Sequence, residues 1–578
     1  MKTTRIVAFV LCLFFLTTGA AAVPASGYAA PGQPGWQAPS SVGSYPGAVD
    51  QVSMAVNDQG EALALMVLRD PAAPLEYSLV VQRYLPGSGW GPLCDLSGAI
   101  YPIVHVSVAA DSLGNFFVTY GFERTSTWEY LHVHKYNDSD GWSAFATLQG
   151  TNGFRVSDAH LMVSSSGNAM VVWEKQDVML SNIQILSSSY TPASGWSSEM
   201  QVRAFTSASP FYLISDLGED GTAAVAWVES TIAGMALKCS RYAPSFEWTT
   251  IETLAPSQVT DIAGLAYGGG SGLLLYAQSV SPTLLMSRAF HGGVWQEAVQ
   301  VASDPEIVNL QLAVNDQGQA MAVWSNSSYR AGVRYTTYSY GSGWAVAQTA
   351  FVFHNNWEYM GSNGLYLAEN GHAFLVYDLA ANYGSDTNGY FSRGFMPAIG
   401  WSAPSQITGP STYSTDLMVS MSGNGFALPY WVMDVAVKTI AMAAMYVPSH
   451  LPGPLLIVAT PTNGTASTSA TLIVSGLTDP GARVSVGGRE AVVDANGVFA
   501  ISISLVSGSN VIEVRAEGIF GNSKVATRTV TYTDQTVQQL QNDVNNLKGQ
   551  GTMYLALGLI ALIVAVVAIV LLFMRRKA

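Results

Sequence analysis

Short runs rich in Val, Leu, Tyr and Trp follow one another along most of this chain, separated by turns of Asn, Asp, Ser and Gly. Partial apolar–polar alternation over such runs marks half-buried strands, and those turn residues tolerate positive φ or cap the backbone locally. The first stretch shows the plan: Val52 to Val56, a turn at Asn57-Asp58-Gln59-Gly60, Glu61 to Leu68, Tyr77 to Leu85, a turn at Gly87-Ser88-Gly89, and a strand after Trp90.

The plan repeats about every fifty residues, which indicates one tandem array rather than separate domains. Its markers are Gly60, Gly114, Gly167, Gly221, Gly270, Gly318, Gly371 and Gly425, each followed six residues later by a large side chain: Met66, Tyr120, Trp173, Trp227, Tyr276, Trp324, Tyr377 and Trp431. A second marker, a Trp usually preceded by Gly, runs out of phase at Trp90, Trp142, Trp196, Trp248, Trp295, Trp344 and Trp401. The last glycine unit has no such Trp after it, whereas Gly35-Trp36-Gln37-Ala38-Pro39-Ser40 near the N-terminus matches Gly400-Trp401-Ser402-Ala403-Pro404-Ser405. The two sets pair completely only if the N-terminal segment joins the final unit. Four strands per unit, eight units and a ring closed in this way predict an all-β, eight-bladed β-propeller over residues 34–448, its last blade completed by an N-terminal strand that covers an open edge. Both large-residue markers are expected to pack between blades.

The ends of the chain say where it resides. Lys2 and Arg5 precede an apolar run from Ile6 to Leu16, and Ala20-Ala21-Ala22 supplies small residues for cleavage, so residues 1–22 read as a signal peptide. Met553 to Met574 carries no charge and is long enough to cross a bilayer, and the following Arg575-Arg576-Lys577 places residues 575–578 in the cytoplasm by the positive-inside rule. The expected location is therefore the cell membrane, single-pass, with an N-terminal ectodomain outside. The chain holds 25 basic and 39 acidic residues; without the basic residues at its two ends the remainder keeps 20 against 39. Such a surface repels phosphates, which argues against a nucleic-acid partner. Cys94 and Cys239 fall in different units and are expected to be free and buried. Asn137, Asn326 and Asn463 head Asn-x-Ser/Thr sequons and could carry glycans.

After Pro452 and Pro454 the pattern changes to a compact all-β module over residues 453–532: Val484 to Val486, a Gly487-Gly488 turn, Arg489 to Val493, then Val498 to Leu505 and Val511 to Ala516. With Asp479-Pro480-Gly481-Ala482, Gly497-Val498-Phe499, Gly508-Ser509-Asn510-Val511-Ile512 and Gly521-Asn522, this stretch resembles the Ig-like modules of prokaryotic surface proteins. The resemblance implies an Ig-like β-sandwich serving as spacer or adhesion module. Residues 533–550 form a short polar stalk with Val537, Leu540, Val544 and Leu547 at heptad a and d spacing, which Gly549 and Gly551 are expected to interrupt before the transmembrane helix at 553–574.

Motifs of catalysis are missing from the sequence: there is no Gly-x-Ser-x-Gly, His-Glu-x-x-His or phosphate-binding glycine loop, and no Ser-x-Asp-x-Gly-x-Thr-Trp box of sialidase-type propellers. No catalytic residue, cofactor or metal is assigned; His132-Val133-His134 puts two imidazoles on one strand face but shows no third ligand. Carboxylates at Asp58, Asp111, Asp220, Asp316 and Glu369 recur with the repeat and read as turn-formers. The ligand candidates are Trp128-Glu129-Tyr130 and Trp357-Glu358-Tyr359 in longer connections, with Tyr383 a lesser one. Aromatic rings beside carboxylates suit sugars, whose C–H faces stack while hydroxyls bond polar neighbours. The expected function is a membrane-anchored surface protein whose propeller binds an extracellular glycan or protein. The alternatives are a surface polysaccharide hydrolase or lyase, whose carboxylates could come from distant blades, and a structural envelope component.

Overall fold

The computed structural model describes residue 29 and residues 35–575, except 43–47, 71–72, 98–101, 126–127, 138–140, 151–152, 178, 180–181, 206–209, 246, 316, 326–331, 354–357, 369–370, 382–388, 398, 409–416, 436–437, 449–455, 479–481, 495–496 and 518–522. The signal-peptide segment, Asn326 and Tyr383 therefore lie outside the described residues. The chain divides into two compact units, residues 1–448 and 449–578.

The first unit is an eight-bladed propeller of antiparallel sheets. Blade 3 is typical: an inner strand Phe154–Val163, then Ala169–Asp177, Ile183–Thr191, and an outer edge made by Gly195–Trp196 and Met200–Phe205, both paired to the third strand. Each inner strand contacts the inner strands of the two adjacent blades, and that of blade 8, Met418–Met421, contacts that of blade 1, Ala48–Val56, so the inner strands form a closed ring. The last blade takes Gly35–Trp36 and Ser40–Ser41 as its outer edge, with Trp36 opposite Tyr446 and Ser40 opposite Ala443. Trp36 thus sits in the sheet of the Gly425 unit, as the marker count requires.

The repeat glycines explain themselves. All eight hold φ between 71° and 87°, where a Cβ would be strained, at the turn between the first and second strands. In blades 1, 2 and 6 the side chain three places earlier closes the turn: Asn57 Oδ1 accepts from the backbone N–H of Gln59 (3.0 Å) and Glu61 (2.9 Å), and Asp111 and Asn315 do the same in blades 2 and 6. The large residues six positions on are all buried, with Trp173, Trp227 and Trp324 fully so. The core is a series of clusters that bridge neighbouring blades; one joins Met170 and Val172 of blade 3 to Val225 and Trp227 of blade 4.

Cys94 and Cys239 are both free, but only Cys239 is buried, its thiol pushed up to about 12 chiefly by that burial. Cys94 is exposed, against expectation, because it falls on the outermost strand of blade 1, Gly89–Ser97. His132 and His134 are buried side by side on the third strand of blade 2, Trp128–Asn137. His132 stacks on Phe122 (5.1 Å, 4°) and meets Thr147 Oγ1 at 3.2 Å; His134 meets Tyr120 OH and the Ser143 carbonyl, each at 3.2 Å. Desolvation pushes His132 down to about 4, with His134 adding to it.

The second unit holds a β-sandwich in which the hairpin Arg483–Val486 and Arg489–Val493 turns through Gly487 and Gly488 at φ 54° and 78°. Its core is formed by Val474, Val484, Phe499, Val514 and Val530. Beyond it a single helix runs from Gln535 to Arg575, 41 residues without a break at Gly549 or Gly551. The expected interruption is absent: each glycine costs only about 1 kcal/mol relative to alanine, which a long helix absorbs. The Thr552 hydroxyl reinforces the spot by bonding the carbonyls of Lys548 (2.9 Å) and Gly549 (2.8 Å). This helix is long and apolar enough to cross a membrane.

Candidate functional site

Because each inner strand runs toward its repeat glycine, the propeller has a glycine-turn face and an opposite face. Trp128 begins the third strand of blade 2 and Glu358 begins the inner strand of blade 7, Glu358–Leu367, so the described residues of both sequence-predicted clusters start at the opposite face. Glu129 is buried and its Oε2 accepts from the Val156 N–H of blade 3 at 2.6 Å, a strut between blades. Tyr130 stacks on Phe122 (4.8 Å, 14°) within blade 2. Glu358 and Tyr359 pair through their backbones with Ala381 and Ala380. The side chains of Trp128, Glu358 and Tyr359, and all of Trp357, lie outside the described residues.

The glycine-turn face carries a site that sequence reasoning missed. Around this face side chains and backbone of successive turns are stitched together. Gln59 Nε2 donates to Ser112 O (2.6 Å) and Ser112 Oγ to Ser165 O (2.7 Å). The Ser165 and Ser166 N–H groups donate to Glu219, and Gly269 N to Asp220 Oδ2 (3.2 Å). Asn315 Nδ2 donates to Ala368 O (3.0 Å), Tyr366 OH to Gly423 O (2.6 Å), and Asn424 N to Asp58 Oδ1 (2.8 Å). At this face these bonds join every pair of adjacent blades except 5 and 6, where none is found among the described residues; away from it, Asp304 of blade 5 accepts from Trp324 Nε1 (2.9 Å) and from Arg334 of blade 6.

The local sequence also differs at this junction. Where other turns offer Gln59, Ser112, Ser165 or Asp220 just before the repeat glycine, blade 5 offers Gly268 and Gly269. Its turn is a tight hairpin through Gly269 and Gly270, at φ 58° and 77°, and it presents no side chain to blade 6. A cleft of about 900 Å³ opens there, lined from blades 4, 5 and 6 by Asp216, Tyr267, His291, Asn315, Gln317, Tyr338 and Tyr340 among others. Tyr340 is 68% exposed, and its ring lies edge-on to that of His291 at 6.0 Å. Asp216 Oδ2 accepts from Tyr267 N at 2.7 Å, yet burial pushes its carboxyl up to about 6, with Glu219 contributing. Glu219 itself is held by blade 3, accepting from Ser165 and Ser166. The arrangement offers ring faces, amides and one carboxyl that changes charge near neutral pH. It is the sort of concave surface with a few placed polar groups that small ligands occupy. The run Gly268-Gly269-Gly270-Ser271-Gly272, unlike the other turns, each of which has a polar residue in the two places before its repeat glycine, was its signal in the sequence.

Residues 454–534 match the family model described as glucodextranase, domain B, which is an Ig-like domain. No curated protein matches the sequence. Solved structures similar to this chain include a fungal alcohol oxidase of the AA5 family in complex with copper, 12% identical over 86% of this chain and 99% of that one, with a TM-score of 0.40. A protein of unknown function from Dyadobacter fermentans is 13% identical over 51% of this chain and 94% of that one, at a TM-score of 0.32. The polysaccharide lyase Uly1 is 10% identical over 71% and 92%, at 0.36. At these identities and scores the likenesses carry no argument about activity.

Proposed function

We propose that this chain is a membrane-anchored surface protein whose propeller binds an extracellular glycan in the cleft between blades 5 and 6. The observation that carries the reading is the glycine-lined cleft at the turns of blades 5 and 6, where no bond between turns is found among the described residues, lined by an exposed tyrosine together with amide and carboxyl groups. The propeller fold and the apolar C-terminal helix fit an anchored surface protein. In this reading the ectodomain lies outside the cell, the Ig-like module separates propeller from anchor along the chain, and Asn137, Asn326 and Asn463 are available for glycosylation. Trp128 and Trp357 are a second set of proposed ligand contacts. The acidic ectodomain favours neutral glycans over anionic ones.

The test is a glycan and protein-ligand screen with the full-length chain in lipid nanodiscs, followed by titration of the hits. Tyr340→Ala should weaken binding about tenfold or more, the loss of about 1.4 kcal/mol expected of a ring at a binding centre, with the melting temperature unchanged. A hit whose affinity ignores Tyr340→Ala but falls with Trp128→Ala moves the site to the opposite face. Binding of proteins alone overturns the glycan assignment, and cleavage of a bound polysaccharide turns the reading into that of a hydrolase or lyase.

A further inference from the structure

The unbroken helix Gln535–Arg575 carries one seam from end to end. In its polar N-terminal part, Leu540, Val544 and Leu547 are 60%, 41% and 67% exposed, with Val537 at the same heptad position as Val544. Writing Val537 and Val544 as a and Leu540 and Leu547 as d, the same phase continues through Gly551 and Tyr554 to Gly558, Ala561, Ala565 and Ala568. Those last four are all but one of the small residues in the apolar stretch Met553 to Met574; only Ala556 lies elsewhere on the helix. The seam is thus large and apolar where water surrounds it and small where lipid would, which is what each medium asks of a helix–helix contact.

Charge gives the partner. Between Asp534 and Arg575 the helix has two charged residues, Asp543 and Lys548, with no ion pair to either among the described residues. They occupy g and the following e, on the two sides of the seam. In a parallel pair of identical helices, g of one chain faces the following e of the other, so two copies would form Asp543–Lys548 pairs on both flanks. Valine at a with leucine at d favours two strands, and insertion in one membrane orientation makes the copies parallel. We propose that the chain is a parallel homodimer joined along this helix. The inference rests on the helix being a membrane anchor and is independent of the glycan site.

The experiment is disulfide crosslinking of the full-length chain in phosphatidylcholine vesicles, in a Cys12→Ser, Cys94→Ser background that leaves only buried Cys239. Val544→Cys and Ala561→Cys, on the seam, should form dimers at least tenfold faster than Asn542→Cys, on the outer face. Asp543→Lys should slow crosslinking at position 544, and Lys548→Asp added to it should restore the rate. Equal crosslinking at all three positions, crosslinking at none, or a charge effect that the swap fails to restore overturns the dimer. Resistance to alkaline carbonate extraction is read on the same samples: an inserted chain that fails to crosslink overturns the dimer alone, whereas an extracted chain overturns anchor and dimer together. Glycan titration is unaffected in either case.

Discussion

Trp36 lies opposite Tyr446, ring centroids 5.2 Å apart, although the two residues stand at opposite ends of the propeller sequence. The same aromatic pair closes every blade: Tyr84–Trp90, Tyr136–Trp142, Tyr190–Trp196, Tyr242–Trp248, Phe290–Trp295, Tyr338–Trp344 and Phe395–Trp401, at 5.0 to 5.4 Å. Trp36 also reaches into the preceding blade, where its Nε1 donates to Ser392 Oγ at 2.8 Å, as Trp248 does to Ser187 Oγ. Ser392 and Ser187 hold one repeat position, three residues before Phe395 and Tyr190.

Ring closure should therefore be energetically local to this pair. Trp36→Ala removes a buried ring and should cost about 3 to 5 kcal/mol, whereas Ser392→Ala removes one hydrogen bond and should cost about 1 kcal/mol. Chemical denaturation of the full-length chain measures both. Equal, negligible effects would mean that the N-terminal strand does not hold the ring shut.

The blade count and its closure were legible because turn glycines and paired aromatics obey backbone and packing rules that every copy must satisfy. The partner of each Trp was legible too, as the Tyr or Phe usually six residues before it, but only the register shows that the two rings meet. Glu129 illustrates the limit: its polarity suggested a ligand, yet it serves the backbone of the next blade, a partner 27 residues away. The cleft was hidden for the opposite reason, since it is made by what the glycines of blade 5 lack. Gly549 and Gly551 misled because a local helix penalty says nothing of the length of helix on either side.

His132 should make the propeller acid-sensitive. Its folded-state pKa of about 4 lies below the ordinary 6.5, so the unfolded chain takes up the proton first. Stability is then complete above pH 6.5 and falls as pH drops toward 4, by about 3 kcal/mol over the whole window. His132→Phe keeps the stack on Phe122 but cannot be protonated. Its stability, measured relative to the parent chain across pH 4 to 7, should lack this loss; identical pH profiles would show that the imidazole takes up its proton equally in the folded and unfolded states.

Restoring a side chain at the open junction should close the site. Gly269 has φ 58°, which asparagine tolerates better than other residues, and a Cβ there meets nothing within 4 Å. Gly269→Asn should leave stability within about 1 kcal/mol and weaken glycan binding several-fold by reaching toward blade 6. Unchanged binding by a folded variant would place the ligand elsewhere.

Asp216 should set the pH dependence of binding. Its pKa of about 6 is raised above the ordinary 3.8, so folding holds the proton more tightly, and this group's contribution to stability is present below pH 3.8 and lost as pH rises through 6. Binding should run the other way: above pH 6 the ionised carboxylate is the stronger acceptor for a sugar hydroxyl, and below it the group is neutral. Affinity for a neutral glycan should therefore fall as pH drops from 7 to 5, with an apparent midpoint near 6. Asp216→Asn should bind more weakly at pH 7 and lose the dependence, while gaining relative stability at pH 7 from removal of the buried charge. If the variant keeps the parent's pH profile, a different group governs binding and the cleft's carboxyl is only a fastening for Tyr267.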